Sequence, residues 1–379
     1  MITNFDDYCI HQTTLPIAHP GSTDRNFYDR YWFNGMDNSG GFIFEIGFGV
    51  YPNRFVMDGH FSVSIGDTQH SFHASRRAPV DRTETNIGPL RIEVIEPMRA
   101  IRLVLAPNDT GVEAELTFHA CTAPTEEPMN RRAEGVHVIM ENSRFTQFGF
   151  WQGYFSVNGE RTEVARATTY GTRDKSWGVR PIGEPQGGAP GLLNAEPGVY
   201  WCWSPINFGD ICTQFGSFED HDGKATQISA CLVPTYENGA DIPNGVEQGH
   251  VEMKTMSHKV DWKSGTRRAQ SAAFHYADED GNHYDIELSP QRDFYMLGIG
   301  YQHPEWGHGT WQDDLKYAAE SWQLADVDPA DFKHMHVHQI VTAKMTGSQG
   351  EKEGIGTLET ICIGRHEPSG FQDFFDLAP

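Results

Sequence analysis

Four short stretches of the chain carry side chains that could do chemistry. The first is Arg173-Asp174-Lys175-Ser176-Trp177-Gly178-Val179-Arg180. A buried carboxyl keeps its proton towards neutral pH and can deliver it to a carbon or oxygen of an apolar substrate, while a nearby indole face steadies the cation that forms. Asp174 and Trp177 suit those two tasks, with Arg173 beside them. Equally, Arg173 or Arg180 could pair with Asp174 and keep it ionised, leaving Trp177-Gly178 as a turn anchor. The second stretch is Lys333-His334-Met335-His336-Val337-His338-Gln339. Alternate residues of a strand share a face, so the three imidazoles would point one way. His336 and His338 could then exchange protons with a ligand, or chelate zinc or iron if Glu359 or His366 supplied a third donor. The same alternation also suits a solvated sheet face.

The third stretch, Tyr200-Trp201-Cys202-Trp203, sets Trp201 and Trp203 on one strand face. They could line a pocket for a flat-ringed ligand, which Tyr200 would help to shape, or fill a core. The fourth, His303-Pro304-Glu305-Trp306-Gly307-His308-Gly309, is dense in polar and aromatic groups. It reads either as a functional loop at a barrel mouth, with Trp306 on the ligand, or as a simple turn.

Strands must position these groups. Val112, Ala114, Leu116 and Phe118 alternate with polar neighbours, as do Ile101, Leu103 and Leu105, and Phe61, Val63 and Ile65. Asn158-Gly159, Asp222-Gly223 and Asp280-Gly281 lie between such runs and favour tight hairpins. Pro181 to Pro197 is rich in Gly and Pro and reads as a loop joining two domains, 1–182 and 183–379. Asp313 to Leu324 and Pro329 to Met335 read as short helices. The expected fold is all-β: two tandem antiparallel β-barrel or sandwich domains, closed to protect their edges, with one or two short helices.

Composition agrees and excludes several functions. Phe, Tyr and Trp make up 12% of 379 residues, with 39 Gly and 21 Pro, a balance that favours sheet over helix. Basic side chains number 29 against 52 acidic ones, which argues against nucleic acid and membrane surfaces as partners. No stretch approaches the roughly 20 apolar residues of a membrane span. The start lacks the pattern of a signal peptide, and the six scattered cysteines include no C-x-x-C pair, so a cytoplasmic location with reduced thiols is expected. No nucleophile elbow, phosphate loop or dinucleotide fingerprint is present.

The segment Tyr170-Gly171-Thr172-Arg173-Asp174-Lys175-Ser176-Trp177-Gly178 resembles the G-x-x-D-x-x-W-G element of the AttH-like and carotenoid 1,2-hydratase superfamily. His73-Ala74-Ser75-Arg76-Arg77, Gly88 to Val94 and Arg144 to Gly149 are similar to other parts of it. The likeness covers residues 40 to 182 directly and the second half by pattern. It implies two lipocalin-like (calycin) domains with an apolar ligand pocket in or between them. Known members hydrate isolated alkenes in carotenoids, and related folds promote terpenoid or polyketide cyclisations.

The leading expectation is therefore a cofactor-independent lyase, hydratase or isomerase acting on a small hydrophobic, terpenoid-like or aromatic molecule. Asp174, His336 and His338 are its candidate acid–base groups, and Arg173, Trp177, Tyr200, Trp201, Trp203 and Trp306 its candidate substrate contacts. No resident metal or cofactor is assigned, and a homodimer is compatible. A non-catalytic carrier, or a metal-dependent enzyme built on His336 and His338, are the alternatives.

Overall fold

The computed structural model describes residues 1–11, 14–183, 198–244 and 249–379. Strand makes up 57% of the chain and helix 6%, and the helix among the described residues is all short 3-10 turns, so the fold class is all-β. Two antiparallel sheets carry it. The first runs in the order Leu315–Gln323, Thr68–Arg77, Val56–Ile65, Phe42–Tyr51, Phe27–Asp37, Thr169–Val179, His137–Val157, Val112–Ala120, Ala100–Leu105, Leu90–Glu96 and Asn86–Ile87, and curls into a nearly closed barrel. The second is a half-barrel in which Val199–Asn207, Lys352–Ile363 and His336–Gly347 are adjacent central strands.

The hairpins form where the turn dipeptides lie. Val157 pairs with Glu160 across Asn158-Gly159, and both turn residues take positive φ, as a tight primed turn demands. Glu219 pairs with Ala225 across the Asp222-Gly223 turn, and Ala277 with His283 across Asp280-Gly281.

Several central strands are apolar on both faces, because each face meets a different core. From Phe27–Asp37, Tyr31 and Phe33 point into the barrel. Trp32 and Met36 point outward and pack with Ile43, Trp201, Trp203 and Ile340 in a second core between the sheets. Polar ties register this seam. Asn34 Nδ2 donates to Thr357 Oγ1 at 3.1 Å, and Gln69 exchanges two hydrogen bonds with the Tyr295 backbone, at 2.8 and 2.9 Å.

Two local expectations change. Residues 313 to 324 do not form a helix: Leu315–Gln323 is a strand that leaves the second half of the chain and pairs with Thr68–Arg76 at the edge of the first sheet. Its Ala, Lys, Glu and Leu favour helix only weakly, and an open strand edge offering a row of unpaired backbone groups outweighs that preference. Of 329 to 335, only Phe332–His334 is helical, as a single 3-10 turn. The expected joining loop falls largely on 184–197, outside the described residues. All six cysteines are free and buried. Among the described residues no helix is long and apolar enough to cross a membrane.

Candidate active site

A cavity of about 240 Å³ opens at the seam between the sheets. The first sheet supplies Asp174 and Ser176 from one strand, Arg144 from its neighbour and Arg30 from the other side, while the second sheet supplies His336 and Glu359. Larger clefts of about 950 and 910 Å³ adjoin it through shared walls, at Arg180 and Tyr301 on one side and at Val199 and Phe218 on the other.

Strand alternation decides which candidates reach the cavity. Asp174 and Ser176 face the seam, so Arg173, Lys175 and Trp177 face the opposite way. Arg173 is buried against Asp7 and Gln147, and Trp177 stacks on His11 with ring centroids 3.9 Å apart. Neither borders this cavity, although both were expected as substrate contacts. Lys175 forms a fully buried ion pair with Asp29. Trp201 lines the cavity, with Arg144 over its ring at 5.1 Å. Trp203, on the same face, instead packs edge-on against Trp32 in the seam core. Tyr200 points to the second sheet's own core, bonded to His258 at 2.8 Å, and borders only a flanking cleft. Trp306 stacks on His73 away from the cavity.

Asp174 makes no side-chain hydrogen bond among the described residues, and neither Arg173 nor Arg180 pairs with it. Burial pushes its pKa up to about 6, against the opposing pull of the Arg144 guanidinium. That guanidinium is held by Glu127, whose other oxygen accepts from Thr146 Oγ1 at 2.6 Å.

Opposite stand two of the three histidines. His334 lies in the 3-10 turn before the strand and bonds to the Asp328 carbonyl. His336 and His338 share a strand face, and both are buried rather than solvated, at 4% and 1% exposure. Glu359 sits directly across from His338 in the ladder, with Oε1 2.6 Å from His336 Nε2 and 3.3 Å from His338 Nε2. His338 Nδ1 lies 2.6 Å from Glu45, a fully buried carboxylate that also accepts from the Trp32 indole at 2.9 Å. Burial disfavours a charged His338, but Glu45 and Glu359 outweigh it and lift its pKa to about 10. His338 is thus an imidazolium clamped between two carboxylates. Burial would raise Glu359, yet His338 and His336 hold it well below the usual carboxylate range.

His336 differs. Burial lowers its pKa despite the bond to Glu359, so the ring is neutral near pH 7. An ionised carboxylate can only accept, so Nε2 carries the proton and Nδ1, which has no partner, keeps its lone pair. A carboxylate that fixes an imidazole tautomer and leaves the far nitrogen basic is the arrangement of a general base. His336, His338 and Glu359 also bring one donor atom each within 4.8 Å of one another, a set a divalent cation could take with Glu45 behind His338.

A second such gathering, His73, His303 and Glu320, is structural. His303 Nδ1 accepts from the amides of Glu305 and Trp306 at 3.0 and 2.8 Å, so its proton sits on Nε2 and points at Glu320, 2.8 Å away. With Nδ1 committed as an acceptor, His303 could ligate through Nε2 only as an imidazolate, whereas His336 can change tautomer because its Nδ1 is unpartnered. The bonds pin the 303–309 loop to the recruited strand.

Glu45, Arg30, Arg144, Glu127 and Tyr301 escaped the reading of the sequence for function. Glu45 had a signal: a lone carboxylate in Phe42-Ile43-Phe44-Glu45-Ile46-Gly47-Phe48 must be buried and partnered.

The chain belongs to a family of unknown function, DUF8625, whose profile matches residues 2–372. No curated protein matches it. Among solved structures it is similar to kievitone hydratase from Nectria haematococca, with a TM-score of 0.50 at 11% identity over 88% of each chain. A protein described as AttH from Nitrosomonas europaea gives 0.50 at 11% identity, over 93% of this chain and 98% of that one. CghA gives 0.51 at 9%, over 89% and 88%. At these identities the likeness is one of fold.

Proposed function

We propose that this member of the DUF8625 family is a lyase- or isomerase-type enzyme that adds, removes or shifts a proton on a small ring-bearing molecule held at the seam of its two sheets. One observation carries the reading: a carboxyl whose pKa is pushed up to about 6 and a neutral, carboxylate-oriented imidazole border the same cavity from opposite sheets. Asp174 in its protonated form donates to the substrate, and His336 Nδ1 takes a proton from it or from water. Trp201, Phe218 and Ile361 give the ring an apolar wall. A carrier would need only such walls, whereas this cavity also presents a carboxyl and an imidazole with displaced pKa values. The similarity of fold to a kievitone hydratase supports a lyase-type reading.

The test needs no known product. Wild-type protein is incubated in D₂O with a panel of prenylated phenols, cyclic enones and terpenoid alkenes, and deuterium uptake is followed by mass spectrometry. Uptake by at least one compound, lost in Asp174→Asn and His336→Ala, is expected. Absence of uptake across the panel, or uptake undiminished in both variants, would remove the reading.

A second reading rests on the three donors within 4.8 Å: a divalent cation replaces the shared proton and polarises a substrate oxygen. Metal analysis of the purified protein, with His336→Ala as control, separates the two. Stoichiometric metal lost in the variant favours the cation, and metal-free protein that still exchanges deuterium favours the proton.

A further inference from the structure

Three arginines, Arg30, Arg144 and Arg180, line the cavity with three carboxyls, Glu127, Asp174 and Glu359, but only Arg144 is in ion-pair contact with one of them among the described residues. Arg144 has Glu127 as its counter-ion. Arg30 and Arg180, which border the cavity at the Tyr301 end, have no carboxylate within ion-pair distance among the described residues. Arg30 is 2% exposed and donates to Tyr301 Oη at 3.0 Å and to the Ile299 carbonyl at 3.3 Å. Arg180 donates to His308 Nδ1 at 3.1 Å. His308 Nε2 lies 2.8 Å from the Ile299 carbonyl, which can only accept, so Nε2 is the protonated nitrogen and the ring is neutral. Arg30 Nη2, 2.9 Å from that same nitrogen, therefore faces a donor. The Nε atoms of both arginines have no partner.

The position of Arg30 is built. A Cβ on Gly47 would stand 2.2 Å from Arg30 Nη2, so only glycine leaves the guanidinium room beside that strand. Asp58 feels both Arg30 and Arg180, and Asp174 feels Arg30, from beyond ion-pair distance, and the Asp58 oxygens are taken by Tyr51 Oη at 3.2 Å and the Gly309 amide at 2.6 Å. Two poorly compensated guanidiniums in a buried site cost folding free energy, which an arriving anion would return. Tyr301 accepts from Arg30 and keeps its own hydroxyl proton to give, and its ring lies edge-on to His336 at 4.7 Å.

We propose that Arg30 and Arg180, with the Tyr301 hydroxyl, seat an oxyanion of the ligand: a carboxylate, or an ionised phenol or enol, on a flat apolar body. Guanidinium forks match such oxygens in geometry and charge. The inference rests on the enzymatic reading for the chemistry after binding, but the seat itself is a binding property and is tested as one.

The probes are 2-naphthoate, its neutral counterpart naphthalene-2-methanol, and 2-naphthol, which becomes an anion as pH is raised. Binding is read from quenching of tryptophan fluorescence, Trp201 being in the wall. Naphthoate should bind about tenfold more tightly than the alcohol, as one charge-assisted contact predicts. That ratio should fall to about one in Arg30→Met/Arg180→Met, and should shrink in Gly47→Ala, which displaces Arg30 while retaining its charge. A phenolate ligand shows instead as naphthol affinity that rises with pH in the wild type alone. Circular dichroism and a urea melt verify that each variant is folded. The seat is overturned if naphthoate fails to bind folded wild-type protein at millimolar concentration while naphthol affinity stays flat with pH. It is also overturned if charged and neutral probes bind alike, or if the preference survives in the folded double variant. Charge selectivity without deuterium uptake would leave the seat standing and remove the catalytic reading.

Discussion

Asp174→Asn should make the protein more stable at alkaline pH, where the half-buried carboxyl is ionised, and not at acid pH. The folded carboxyl has a pKa of about 6 against an ordinary 3.8, because burial disfavours its ionised form. The native state therefore binds more protons than the unfolded chain between those values, so Asp174 costs stability as pH rises through that window. Two pKa units correspond to about 3 kcal/mol at about pH 8, and integration leaves about 0.5 kcal/mol at about pH 4. Asp174 borders a cavity that water can enter, which screens the charge and reduces the difference to about 1 kcal/mol. The asparagine has the same shape and no charge, so the penalty disappears with it. Urea unfolding of both proteins at the two pH values, read by tryptophan fluorescence, gives a double difference in which other effects of the substitution cancel. A variant stabilised by about 1 kcal/mol more at the higher pH supports the reasoning. A pH-independent difference, or one that favours wild type more strongly at high pH, would show that Asp174 is ionised and stabilised in the fold, and the proposed acid would be lost.

The same carboxyl sets the pH dependence of turnover. Activity should fall as pH rises through about 6, where Asp174 gives up its proton, and on the acid side where His336 becomes charged, so the kcat/KM profile should be a bell centred on the acid side of neutrality. Glu45→Gln leaves His338 buried with Glu359 alone; a loss of about 3 kcal/mol in urea unfolding, with the His338 pKa falling from about 10 in a proton NMR titration, is expected. Glu320→Gln removes the carboxylate shared by His73 and His303, and hydrogen exchange should accelerate in Leu315–Gln323 and the loop before it, by about 1 to 2 kcal/mol of local stability, while Val112–Ala120 is unaffected.

Much of the architecture was legible because strands with one polar face announce themselves. Val112–Ala120 alternates buried and half-buried along its whole length, and the three turn dipeptides close hairpins. Where both faces are buried, as in Phe42–Tyr51, alternation vanishes, and nothing local distinguishes the face towards the barrel from the face towards the other sheet. This is why Asp174 and Trp177 looked like partners: their spacing is visible in the chain, but an odd separation on a strand sends them to opposite faces. His336, His338 and Glu359 could be suspected together, since alternation places the first two. Arg30 and Glu45 reach them only through the packing of one sheet on the other, at sequence separations no pattern reveals. The strand Leu315–Gln323 failed for a related reason, since its conformation is set by an edge formed some 240 residues earlier in the chain.

That recruited strand ties the two sheets together mechanically. The chain passes from the barrel to the half-barrel and sends one segment back before finishing, so the sheets are laced rather than strung in series. Residues 1–182 made alone would leave Thr68–Arg77 bare, an adhesive rim that invites self-association. Conversely, a protease cutting once between residues 183 and 198 would sever the covalent link without freeing either piece, since the laced strand would still hold them together.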